Sequence, residues 1–103
     1  SILEKYSAFQ AITEKKEFDI KYMAIGLGGE VGEILNEIKK LERDDNNILT
    51  TNRKNKLILE LGDVLWYFQG ICKRLNCTIE DVINNNINKL DSKGDTIKIS
   101  QQS

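Results

Sequence analysis

Apolar residues recur at three- and four-residue steps through most of the chain, and no proline interrupts them. That period matches one face of a helix, and proline is the residue that would break one. Ile2, Leu3, Tyr6, Phe9 and Ile12 predict a first helix over roughly 2–16. Asp19 can cap a second, with Ile20, Met23, Ala24, Leu27, Val31, Ile34, Leu35, Ile38 and Leu41 as its apolar stripe. The stretch from Glu42 to Asn55 is polar and reads as a loop. A third helix is expected from about Asn52 to Leu75, with Leu57, Ile58, Leu61, Val64, Leu65, Phe68, Ile71, Cys72 and Leu75 facing inward. Thr78, with Asp81 three residues on, resembles a capping box. It opens a fourth helix over roughly 79–91, with Val82, Ile83, Ile87 and Leu90 on its apolar side. The expected fold is all-α: one four-helix bundle-like domain over residues 1–93, then a polar tail over 94–103.

The chain of 103 residues has room for one domain. It contains no histidine, which excludes imidazole chemistry: Ser-His-Asp triads, Cys-His pairs and His-ligated zinc. Fifteen Lys and Arg against sixteen Asp and Glu leave a net charge of -1, without the basic excess of a nucleic-acid binder. No apolar run approaches the length of a membrane span, and the first ten residues lack a signal-peptide core, so a cytoplasmic protein is expected. Cys72 and Cys77 are the two cysteines. Their five-residue separation puts them on different faces of a helix, about 140° apart, and they form neither a Cys-x-x-Cys nor half of a zinc site. Ile58, Leu59, Leu61, Val64, Leu65 and Trp66 cannot all reach one core, so a homo-oligomer, dimer or tetramer, is expected to bury the excess.

The second helix carries an anomaly. Gly26, Gly28, Gly29 and Gly32 fall within seven residues of a helical pattern, where each costs roughly 0.5–1 kcal/mol against Ala. Such a conflict marks close packing or function. Inside the same stretch Glu30 and Glu33 stand three apart, and Glu37 continues the row. The third helix repeats the spacing in Glu60-Leu61-Gly62-Asp63. Residues three apart are helix neighbours, so each pair of carboxylates repels. If the two helices pack antiparallel, four carboxylates converge. Without histidine, the matching counter-ion is a hard divalent cation with oxygen ligands, Mg²⁺ first and Mn²⁺ as the alternative.

These residues also match a family pattern. Glu30-Val31-Gly32-Glu33, twenty-six residues, then Glu60-Leu61-Gly62-Asp63 resembles the Glu-x-x-Glu and Glu-x-x-Asp signature of the MazG-like all-α nucleoside triphosphate pyrophosphohydrolases. Gly26-Leu27-Gly28-Gly29 before the first pair, Lys39-Lys40, and Val64-Leu65-Trp66-Tyr67 after the second resemble its short phage and bacterial branch. So does Asn86-Ile87-Asn88-Lys89-Leu90. The similarity spans roughly residues 6 to 93. The chain departs at Lys93, where the branch has Arg, at Gly94-Asp95, where Tyr-Pro usually follows, and at Gly29, where many relatives carry a second Glu.

The resemblance implies a Mg²⁺-dependent hydrolysis of (d)NTP between the α- and β-phosphates, giving (d)NMP and pyrophosphate. It implies Glu30, Glu33, Glu60 and Asp63 as metal ligands, with Glu30 or Glu33 as the base, Glu30 first. Asn86, Lys89, Lys93 and Lys39 are the implied phosphate contacts, and Trp66 could stack on the base. Two other readings compete: a phosphoribosyl-ATP pyrophosphohydrolase of the same superfamily, and a non-catalytic helical interaction module.

Overall fold

The computed structural model describes residues 1–92, which form helices α1 (Ile2–Thr13), α2 (Ile20–Asp44), α3 (Thr51–Arg74) and α4 (Ile79–Ser92). Each start is capped by a side chain that takes an otherwise unpaired backbone N–H. Ser1, Asp19 and Thr50 accept from Glu4, Tyr22 and Arg53. At α4 the capping box is complete: Thr78 Oγ1 accepts from the Asp81 N–H at 3.0 Å, and the Asp81 carboxylate accepts from the Thr78 N–H at 2.9 Å.

Two boundaries differ from the expectation. α1 ends at Thr13, because Glu14 takes an extended backbone and turns its carboxylate onto Arg74. The loop between α2 and α3 is shorter than the polar composition suggested, since Glu42 to Asp44 and Thr51 to Asn55 are helical. Asn46 and Asn47, at φ 54° and 60°, turn the chain through the left-handed region that Asn tolerates.

The end of α3 also corrects the reading of the cysteines. Asn76 sits at φ 54°, the Cys77 N–H donates to the Cys72 carbonyl at 3.0 Å, and the Asn76 N–H donates to the Lys73 carbonyl at 3.2 Å. This pair of bonds is a Schellman cap. The helix stops between the two cysteines, so they do not point apart on one helix. They occupy the two cap positions whose side chains meet.

α2 and α3 pack antiparallel and form the main pair. Glu37 faces Arg53, Glu30 faces Glu60, Gly26 faces Tyr67 and Met23 faces Gly70. α1 lies against α3: Ser7 accepts from Gln69, Thr13 accepts from Trp66, and Glu14 pairs with Arg74. Arg74 also donates to the carbonyls of Phe18 and Gly70, which ties the α1–α2 connection to the end of α3.

The core is small. Among the described residues, the buried apolar side chains are Met23, Cys72 and Ile79, beside the polar Gln10, Glu37 and Gln69. The stripe expected on α1 is divided. Leu3 and Tyr6 are half-buried and Gln10 is buried, whereas Ile2, Phe9 and Ile12 are exposed. Val31, Leu35 and Ile38 of α2, Ile58, Leu61 and Leu65 of α3, and Ile83 and Ile87 of α4 are also exposed. Each set repeats at three or four residues, so each helix carries an apolar stripe outside this core.

Candidate metal centre

The seam between α2 and α3 is lined on α2 by Leu27, Glu30, Ile34, Glu37 and Leu41, and on α3 by Arg53, Leu57, Glu60 and Val64, all shielded at least in part. Two positions on the α2 side are therefore carboxylates where a helix pair would place apolar side chains. They are treated differently. Glu37 is buried against Arg53 and Lys40, and Arg53 holds its carboxyl below the usual range. Glu30 faces carboxylates instead. One oxygen each from Glu30, Glu60 and Asp63 lie within 4.8 Å of one another, and no other such group of potential ligands occurs among the described residues.

Among the described residues, no Lys or Arg pairs with Glu30, Glu33, Glu60 or Asp63. The effect is visible on Glu30. Partial burial and the charges of Asp63, Glu60 and Glu33 raise its proton affinity above that of an ordinary carboxylate. The negative field reaches the phenols as well. Tyr6 is raised by burial and by Asp63, and Tyr67 by burial, Tyr22 and Glu30. Like charges at this distance repel, and an all-oxygen donor set of this kind is one that a hard divalent ion fits.

The acids open onto a cleft of about 320 Å³ lined by Glu30, Asp63, Trp66 and Tyr67. The Trp66 indole N–H donates to Thr13 Oγ1 at 2.7 Å, and its ring meets Tyr67 edge-on at 5.1 Å. Tyr67 lies across α2 at Gly26, where a Cβ would overlap its ring. Among the described residues, Gly28, Gly29 and Gly32 meet nothing within 4 Å, so packing between the described residues accounts for Gly26 alone of the four.

The sequence-predicted residues thus separate into groups. Glu30, Glu60, Asp63 and Trp66 come together. Glu33 is exposed, outside the trio, yet near enough for its charge to act on Glu30. Asn86 and Lys89 are exposed and line a different groove, with Cys77, Asp81, Val82 and Asn85. Lys39 is exposed on α2. Lys93 lies outside the described residues. Sequence reasoning did not single out Tyr67 or Thr13. Tyr67 stands four residues after Asp63, on the same helix face, and that spacing was available as a signal.

Comparison with known proteins bears on the same residues. The family model of the MazG nucleotide pyrophosphohydrolase domain matches residues 18–97, which include both acid pairs. Over 76 residues the chain is 40% identical to "Gene 37 protein" of Mycobacterium phage L5, covering 74% of this chain and 67% of that protein. No solved structure matches. An acid trio at the seam of two antiparallel helices, within a span matched over most of the chain, identifies the lineage: the chain belongs to the MazG nucleotide pyrophosphohydrolase family.

Proposed function

We propose that this chain is a Mg²⁺-dependent pyrophosphohydrolase that converts (d)NTP to (d)NMP and pyrophosphate. The observation that carries the reading is the trio of Glu30, Glu60 and Asp63, gathered without a cationic partner at the mouth of a cleft. The trio would hold the metal, with Mn²⁺ as a substitute. When bound, the ion neutralises phosphate oxygens and lowers the pKa of a coordinated water.

The residues divide the remaining work. A water oxygen attacks the α-phosphorus, the bond to the β-phosphate oxygen breaks, and pyrophosphate leaves. The proton released by the water needs a carboxylate free of the metal. Of the two base candidates, Glu30 belongs to the trio, so Glu33 takes this role. Trp66, fixed by its hydrogen bond to Thr13, offers an aromatic face to the base. Asn86 and Lys89 keep a phosphate-binding role only where assembly of copies carries an α4 groove to an acid cleft. The exposed apolar stripes favour such a homo-oligomer.

The test is product analysis. The purified chain is incubated with each common NTP and dNTP, and with phosphoribosyl-ATP, in Mg²⁺ and in EDTA. Metal-dependent monophosphate and pyrophosphate are expected. Diphosphate and orthophosphate would overturn the α–β cleavage, and turnover of phosphoribosyl-ATP alone would move the reading to that branch. Absence of turnover, with no Mg²⁺-linked rise in melting temperature, would leave the helical interaction module. Asp63→Asn is expected to lose both turnover and the Mg²⁺-linked rise. Glu33→Gln is expected to keep the rise and lose turnover by about 10²–10⁴-fold.

A further inference from the structure

We propose that Cys72 and Cys77 form a redox modification site, closing to an intrachain disulfide when a small-molecule disulfide such as oxidised glutathione is present. The Schellman cap at the end of α3 carries this inference. It is built by the bonds from Cys77 N–H to the Cys72 carbonyl and from Asn76 N–H to the Lys73 carbonyl. In this cap the first and last residues bring their side chains into contact across the turn. Usually that contact is between two hydrophobes, and here both positions are thiols. The left-handed Asn76 holds the turn without a glycine, so the two cysteines are kept together by backbone geometry.

The two thiols are unequal, which sets the order of events. Cys72 is 3% exposed. Burial and the neighbouring Cys77 thiol push it up to about 11, so it is a poor first nucleophile. Cys77 is half-exposed and lines the groove shared with Asn86 and Lys89. The Cys77 thiolate therefore attacks one sulfur of the external disulfide and expels one thiolate. Cys72 then gives up its proton and attacks Cys77 sulfur in the mixed disulfide, expelling the second thiol. Two protein thiols are oxidised by two electrons, and the external disulfide is reduced to two thiols. The product is a covalent tie between the end of α3 and the residue before the cap of α4.

The experiment treats the full chain with oxidised glutathione, without denaturant, and reads intact mass and free thiols. The expected product has lost two hydrogens, carries no alkylatable thiol and is not a covalent dimer. A persistent glutathione adduct, a covalent dimer or two unreacted thiols would overturn the proposal. Cys72→Ala is expected to stop at the adduct on Cys77, and Cys77→Ala to remain unmodified. Resolution of the adduct, expressed per Cys72 thiolate, is expected to run about tenfold or more faster in the folded chain than in urea. Equal rates would show that the cap contributes nothing. None of these readouts depends on nucleotide turnover.

Discussion

One hydrogen atom at Gly26 separates a fit from a collision. A methyl group there would meet the Tyr67 ring, and Tyr67 is a wall of the acid cleft. Overpacking of this kind costs about 1–3 kcal/mol, against about 0.5–1 kcal/mol gained in helix propensity. Gly26→Ala is therefore expected to lower stability by about 1–2 kcal/mol and to reduce turnover, checked by urea unfolding and steady-state rates. Gly28→Ala meets open space among the described residues and is expected to gain about 0.5–1 kcal/mol. A loss instead would place a second copy or a ligand against that glycine. The four glycines looked alike as letters, because composition records a propensity cost and not which neighbour arrives. The acid trio was legible, since i, i+3 spacing and an antiparallel pairing suffice to assemble it. Glu33 was legible as a motif member but not as the residue left outside.

At the scale of elements, two ionic fastenings organise the helices, and both involve shielded acids. Arg74 joins Glu14 to α3, and Arg53 joins Glu37 of α2 to Asp45 and α3. Arg74 holds Glu14 below the ordinary carboxylate range, and Arg53 does the same for Glu37. Their stabilisation is complete above the unfolded carboxylate value of about 4.3 and is lost as pH falls through the folded values. Glu30 acts with the opposite sign. Its raised affinity removes stability as pH climbs from about 4.3 through the folded value. Thermal melting against pH is expected to show a maximum on the acid side of neutrality in EDTA. Mg²⁺ is expected to lift the neutral branch, and Glu14→Gln to flatten the acid branch. The helices and the caps at Asp19 and Thr78 could be read from the chain because periodicity and capping are local. The early end of α1 could not, because Arg74 lies sixty residues from the Glu14 it draws away.

Among the described residues, the large apolar side chains left exposed far outnumber the three apolar side chains that are buried. Leu35 is 64% exposed, Leu59 69% and Ile25 76%. Light scattering is expected to give a dimer or tetramer at micromolar concentration, and Leu35→Glu to shift the distribution toward the single chain. A monomeric wild type would refute the homo-oligomer. The composition signalled this excess, but the assignment of residues to inner and outer stripes needed the packing. Phe9, expected on the apolar stripe, is exposed while Gln10 is buried, because α1 presents Gln10 to Gly70 of α3. The fastening of Glu37 to Arg53 has a further consequence for which changes in length the chain can accept. Glu30 precedes Glu37 by seven residues, and Glu60 follows Arg53 by seven. Two helical turns, about 10 Å on each helix, therefore carry the ion pair into the acid trio in step. The turn at Asn46 and Asn47 lies beyond that gauge, so residues can be inserted there without disturbing the acids. A single deletion between Arg53 and Glu60 would swing Glu60 and Asp63 by about 100° around α3 and dissolve the trio.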